Sequence, residues 1–285
     1  MAQARPDTEP AAAPCKMPWS DAPSQDAPAT YAPDGRTLFF QRSDGKSSSI
    51  LVSHRIHGRW SKPVVAPFSG SASDQFPVLL PDGRSLIFES DRPSGPDAAM
   101  AGARVGHLWR VDKTASGWST PVRLPDTVNI SRRIYAHSIA ANGDLYFMSS
   151  TEPRGQDPKW RLFRAAHTAG GYAQAEPLPF SDGSWSDVDP YVAPDQSYLV
   201  FSSNKRREPA GHEHLFITVR RGGVWGPITP IRYRGDDPTT DDNYSDIYPG
   251  GKILCFESSH GDETKVVSLP LAPYLRAARA GVSPR

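Results

Sequence analysis

The chain has 285 residues, a formal net charge of +1 from 32 Lys and Arg against 31 Asp and Glu, and two cysteines. Near-neutral charge removes the electrostatic footprint of a nucleic-acid binder. Two cysteines exclude a disulfide framework or a four-thiolate zinc site, and no apolar run approaches the ~18 residues of a membrane-spanning helix.

Residues 1–24 are rich in Ala and Pro and read as a flexible segment without the apolar core of a signal peptide. Ala2-Gln3-Ala4 resembles a small-residue cleavage site. Two locations therefore stay open: periplasmic or secreted, if a signal is missing from the chain, and otherwise cytoplasmic.

From residue 25 onward the chain repeats itself. "APDGRTLFF" (32–40) returns as "LPDGRSLIF" (80–88), and in weaker form as "AANGDLYF" (140–147), "APDQSYLVF" (193–201) and "YPGGKILCF" (248–256). The turn positions Pro33, Pro81, Ala141, Pro194 and Pro249 lie 48 to 60 residues apart. Pro-Asp-Gly sets a tight turn, and the β-branched and aromatic run after it predicts a strand. A polar loop, a third short strand and an aromatic-to-Pro turn complete each unit, as at Trp60-Ser61-Lys62-Pro63, Trp118-Ser119-Thr120-Pro121 and Trp225-Gly226-Pro227. Repeated four-stranded units of this size predict an all-β, five-bladed β-propeller over residues 25–270, with a six-bladed ring as the alternative. The fifth unit stops after its third strand, so residues near 10–20 are expected to supply the outer strand. Cys15 and Cys255 then fall in one blade. A disulfide between them is open, although an outer strand is not the neighbour of the strand that holds Cys255. Residues 271–285 are a tail whose "LRAARA" predicts one or two helical turns.

The unit "PDGRSLIFESDRP", preceded by "SDQFP" and followed by "LW" and "GWSTP", resembles the WD40-like PD40 repeat of TolB-type propellers. The resemblance implies a TolB-like propeller scaffold. It says little about function, because this repeat serves proteins of many kinds. His107, Arg161 and His214 stand where the repeat often has Asp.

Seven residues before each turn stand Asp26, Asp74, Ile134, Asp187 and Asp242. Such a ring near the central channel could bind a cation, a basic peptide or a sugar, or each Asp could cap its own blade. The copies that break the pattern add Tyr135, His137, Asp189 and Asp246. Asp189, Asp246 and His137 are the catalytic alternative, a carboxylate pair with a histidine as in glycoside hydrolases. Asp236, Asp237, Asp241 and Asp242 form an acidic loop able to hold Ca²⁺ or simply to face water; it lacks the glycine and closing glutamate of an EF-hand. No cofactor is otherwise expected. His212 and His214 share a strand face and could bind a metal or lie at an edge. Lys205, Arg206 and Arg207 read as a solvated basic loop. Trp160 and Trp185 follow no repeat rule and are candidates for ligand stacking. These features favour a monomeric, non-catalytic scaffold that binds a protein or peptide in the bacterial envelope. A carbohydrate-active enzyme, a hydrolase or lyase, is the alternative.

Overall fold

The computed structural model describes residue 15 and residues 29–94, 106–152, 159–204, 206, 211–247 and 251–281. It contains five antiparallel sheets arranged as a five-bladed β-propeller. The first blade holds β1 (Ala29–Tyr31), β2 (Thr37–Ser43), β3 (Ser48–Ile56), the hairpin strand β4 (Arg59–Trp60) and the outer β5 (Val64–Val65). The second holds β6 (Asp74–Leu79), β7 (Ser85–Ser90), β8 (His107–Thr114), β9 (Gly117–Trp118) and β10 (Val122–Arg123). The third has β11 (Ile134–Ile139), β12 (Leu145–Ser149), β13 (Arg161–Ala165), the hairpin β14 (His167–Thr168) with β15 (Gly171–Tyr172), and β16 (Glu176–Pro177). The fourth has β17 (Asp187–Val192), β18 (Tyr198–Ser203), β19 (His214–Arg221), β20 (Val224–Trp225) and β21 (Thr229–Pro230). The fifth has three strands, β22 (Asp241–Ile247), β23 (Ile253–His260) and β24 (Glu263–Pro270), followed by helix α1 (Ala272–Ala280).

The repeated residues explain the repeated geometry. In the turns, the Asp34, Asp82 and Asp195 carboxylates accept backbone N–H groups two residues on, and Asn142 does the same in the third blade. Gly35, Gly83 and Gly143 take positive φ there. In the fourth copy Gln196 takes that conformation instead, and its Oε1 accepts the Tyr146 hydroxyl (2.6 Å) and an Arg220 N–H (3.2 Å). Phe40, Phe88, Phe147, Phe201 and Phe256, one per blade on the second strand, are all buried.

Side chains of each middle strand alternate between its two neighbours. Phe88 packs toward the first blade with Phe39 and Ile50, whereas Ile87 packs toward the third with Phe147 and Phe163. Tyr146 meets Phe201 between blades three and four, and Val200 meets Phe256 between four and five. The core is therefore a set of interblade layers rather than one central mass. The channel is left for polar groups.

The tail does not stop at one or two loose turns. Helix α1 docks Tyr274 and Ala278 on the fourth and fifth blades, and the Tyr274 hydroxyl donates to the Arg232 carbonyl (3.0 Å). Cys15 bonds Cys255, with Cα atoms 5.5 Å apart. The sequence argued against this pairing by placing Cys15 on an outer edge. Cys255 sits on the middle strand β23, opposite Asp246 and Ser268. Neighbouring Leu254 and Phe256 face the fourth blade, so Cys255 faces the other way and receives Cys15 on the flat of the sheet. The outer strand expected from residues 10–20 lies, apart from Cys15, outside the described residues.

Candidate functional site

Four inner strands carry the same irregularity. The ladder slips between Gln75 and Val78, Tyr135 and His137, Val188 and Tyr191, and Asn243 and Asp246. At each slip a non-glycine residue takes positive φ: Phe76 (49°), Ala136 (30°), Asp189 (50°) and Tyr244 (52°). This is the left-handed region, which side-chain-bearing residues enter at a cost of about 1–3 kcal/mol. The bulge frees an N–H from the ladder and re-aims a side chain. Neighbouring blades catch the freed groups: Phe76 N–H donates to Gln41 Oε1 (3.2 Å) and Tyr244 N–H to Asp189 Oδ2 (3.1 Å). Phe76 and Tyr244 then face each other across the ring with centroids 6.0 Å apart.

Two residues before three of these bulges stand Asp74, Asp187 and Asp242, and each carboxylate is already engaged. Asp74 accepts Arg92 (2.6 Å) and the Ser69 hydroxyl (2.7 Å). Asp187 takes both arms of Arg206, at 2.9 and 2.8 Å. Arg92 and Arg206 also reach back to the Phe68 and Phe180 carbonyls and lie over the rings of Phe88 and Phe201. Asp242 is held by the Tyr233 hydroxyl at 3.0 and 3.2 Å. Each of these carboxylates fastens its own blade start. Arg206 is accordingly a half-buried clasp, not the solvated cation the sequence suggested; Lys205 and Arg207 lie outside the described residues.

The unrepeated residues line a cavity of about 1500 Å³ at the end of the channel where the inner strands begin. Its wall includes Gln75, Phe76, Glu89, Tyr135, Met148, Trp160, Asp189, Glu213 and Tyr244. Glu89 is 2% exposed and, among the described residues, its Oε2 has no hydrogen-bond partner. Burial, reinforced by Asp91, raises its carboxyl well above the usual range. Burial likewise lifts Asp189 to about 6, with Glu257 adding repulsion. Glu213 rises to about 7 through burial and then Asp189. Gly106 makes room for Glu89, since a Cβ there would lie 2.6 Å from both Glu89 Oε1 and the Ile134 carbonyl.

The sequence candidates divide accordingly. Tyr135 and Asp189 line the cavity, and Trp160 does so with its ring edge-on to Tyr135 (5.2 Å). His137 and Asp246 do not line it. One step past its bulge, His137 is buried against the second blade, with Nε2 3.2 Å from the Ile87 carbonyl, and burial pushes it down to about 4. Asp246 turns onto the sheet face shared with Cys255, accepts its own neighbour's N–H from Ile247 (2.7 Å), and is pushed up to about 7 by burial. The acid pair with histidine proposed for glycoside chemistry therefore contributes only Asp189 to the cavity. Trp185 is exposed and stands apart from the lining. Asp26 lies outside the described residues.

In the acidic loop, Asp237 caps a turn through Thr239 and Asp241 accepts the Glu213 N–H (2.8 Å). The set that converges is His214, Asp236 and Asp242, with ligand atoms within 4.8 Å of one another. His212 stands 3.4 Å from Asp241 instead. Glu89, Glu213, Phe76 and Tyr244 were not singled out from sequence. A signal existed: the residue after each second-strand Phe runs Gln41, Glu89, Met148, Ser202, Glu257, a variable position beside a constant one.

Among solved structures, the chain is similar in fold to a TolB-type protein from Agrobacterium tumefaciens (TM-score 0.57, 16% identity, 85% of this chain and 76% of that one). It is also similar to TolB from Acinetobacter baumannii (TM-score 0.54, 14% identity, 86% of this chain), about half of whose length it spans (51%). Hydrazine synthase from Kuenenia stuttgartiensis shares the fold at TM-score 0.55 and 14% identity, with 88% of this chain and 66% of that one covered. No family model and no curated relative matches the chain. At these identities the likeness concerns the propeller alone. Among the described residues, no helix is long and apolar enough to cross a membrane.

Proposed function

We propose that the protein is a non-catalytic propeller scaffold of the bacterial envelope that holds a protein or peptide segment at its channel mouth. The cavity carries this reading. Its volume of about 1500 Å³ exceeds the ~300–1,000 Å³ of a small-molecule pocket. Its wall gathers the aromatic rings of Phe76, Tyr135, Trp160 and Tyr244, the residue type enriched where proteins bind one another. The bulges support it further, because strained backbone that recurs at one mouth is where a fold invests in function. The Cys15–Cys255 bond supports an oxidising compartment, where disulfides persist.

A random peptide-display library selected on the folded protein tests the reading, with a Phe76→Ala/Tyr244→Ala double variant as counter-screen. Enriched peptides are expected to bind the double variant about tenfold more weakly or worse, the loss typical of aromatic anchors. An unchanged thermal melt of the variant must accompany that loss. Peptides that bind both forms equally move the surface to the outer loops. A folded protein that enriches nothing overturns the proposal.

A further inference from the structure

One part of the cavity wall has a chemistry more specific than a peptide surface needs to be. Tyr244 sits among four carboxyl groups, Asp189, Glu257, Glu213 and Glu89, all close enough to act on its hydroxyl. These groups come from the second, fourth and fifth blades. The charged groups that act on Glu89, Asp189 and Glu213 are other carboxyls: Asp91 on the first, Glu257 on the second, Asp189 and Asp241 on the third. Hydrogen bonding offsets this in part, since Asp189 accepts the Tyr244 N–H and Glu213 accepts the Asn243 amide at 3.4 Å. Among the described residues Glu89 Oε2 has no such help, although Glu89 is almost fully buried on the cavity wall. A buried carboxyl without a partner is costly, and an arriving ion or ligand is one of the things that explains it.

Lys46, Arg132 and Arg133 also line the cavity, but among the described residues the groups that act on Glu89, Asp189 and Glu213 include none of them. The partner the acids lack is a cation, and the spacing decides which kind. A metal ion needs several oxygens within a few ångströms of one point. Among the described residues, the one set of three acidic or histidine ligands within 4.8 Å is His214, Asp236 and Asp242, and none of these is a member of the Tyr244 cluster. The cluster is therefore too open to chelate. An organic cation is larger, offers several N–H donors in different directions, and is attracted to aromatic faces. Phe76 and Tyr244, tilted 33° at 6.0 Å, supply those faces beside the acids.

We propose that this part of the cavity wall is a subsite for one organic cation, the guanidinium or ammonium group of a basic side chain on the bound peptide. Glu89 and Asp189 pair with its N–H groups from two different blades, Glu213 adds charge, and the Phe76–Tyr244 pair borders it on one side. The proposal deepens the peptide-binding reading and rests on it for the identity of the cation's carrier.

Calorimetric titration of the full chain with Nα-acetyl-arginine amide, Nα-acetyl-lysine amide and the neutral isostere Nα-acetyl-citrulline amide tests it. Either basic compound is expected to bind about tenfold or more tightly than citrulline, as charge-assisted hydrogen bonding predicts. Glu89→Gln and Asp189→Asn should each remove most of that advantage, while Asp126→Asn, an exposed acid far along the chain from this cluster, leaves it within about twofold. Thermal melts confirm that each variant is folded, and Phe76→Leu provides a second, uncharged probe of the same subsite. Equal binding of citrulline, insensitivity to Glu89→Gln and Asp189→Asn, or no binding of either basic compound overturns the proposal. So does calcium binding with the same sensitivity, which would make the cluster a metal site. If the small cations bind and no peptide is enriched, the subsite stands and the peptide reading falls. If peptides without basic residues bind at the mouth, the subsite falls and the peptide reading stands.

Discussion

Two sets of buried or half-buried carboxylates share the second, fourth and fifth blades, and they behave in opposite ways. Asp74 and Asp187 each meet an arginine from their own blade, and Asp242 meets a tyrosine hydroxyl. Glu89, Asp189 and Glu213 meet other carboxyls instead: Asp91 beside Glu89, Glu257 beside Asp189, and Asp189 with Asp241 beside Glu213. The first set recurs at one repeat position, and in two of its three members an arginine partner recurs with it. The second set occupies positions that change from blade to blade. In a repeat protein the residue that returns with its partner builds the blade. The residue that returns without one, or does not return, is left over for a ligand.

The largest effect that separates the sets comes from breaking a clasp. Arg206→Ala removes the bidentate partner of Asp187, the bond to the Phe180 carbonyl and the stacking over Phe201. Leaving a buried carboxylate alone costs roughly 3–5 kcal/mol, so denaturant unfolding should show a loss of that size. Replacing both partners, as in Asp187→Asn with Arg206→Met, should recover much of it, because desolvated charge is removed on both sides. A loss below about 1 kcal/mol in the single variant would show that the clasp is ornamental.

The disulfide comes next. Cys15 and Cys255 are 240 residues apart, and their bond fastens the N-terminal segment to the blade that has three strands among the described residues. Cys255→Ser is expected to cost about 2–5 kcal/mol, read as a lower denaturant midpoint that reducing agent does not lower further. This contact also marks where sequence reasoning runs out. The repeats carry strand order, turn chemistry and blade count, because Pro-Asp-Gly and the following Phe act locally and recur. They do not carry the face to which Cys15 docks, since that segment has no second copy to compare. The same limit hid Glu213 and Tyr244. Tyr244 follows the conspicuous acidic run Asp241-Asp242, but its role depends on a bulge, and Glu213 reaches the cavity wall from the turn before β19. The position of Glu89 was legible as the variable residue beside a constant Phe. Its burial was not, because that follows from the close approach of Gly106 to Ile134.

Titration distinguishes the sets more gently. Asp189, Glu213 and Asp246 hold protons more tightly in the folded chain, at about 6, 7 and 7, than free carboxyls do near 4. The folded state then binds more protons than the unfolded state between about pH 4 and 7. Stability is greatest at the acid end of that window and falls as the pH rises through the folded values. Melting temperature should decline by several degrees between pH 5 and 8, on the order of 1–3 kcal/mol for the three groups together. Asp246→Asn should flatten part of the decline without touching the cavity. A melting temperature that rises over this range would mean that paired carboxylates such as Asp144 with Arg164 dominate instead.

The smallest expected effect is the sharpest test of the contrast. Glu89→Gln keeps the shape of a carboxyl that is already driven toward its neutral form. No arginine is stranded by the change, and among the described residues no hydrogen bond to the carboxyl is lost. Unfolding free energy should therefore move by less than about 1 kcal/mol in either direction at pH 7, in contrast to Arg206→Ala. The sign carries information as well. Any fraction of Glu89 that is ionised at pH 7 is buried beside Asp91, so removing it should stabilise the variant slightly more at pH 8 than at pH 6. A loss of 3 kcal/mol or more, equal to the clasp, would mean that Glu89 already holds its blade together. Its carboxyl would then not be waiting for a partner, and the division between repeated and unrepeated acids would have to be redrawn.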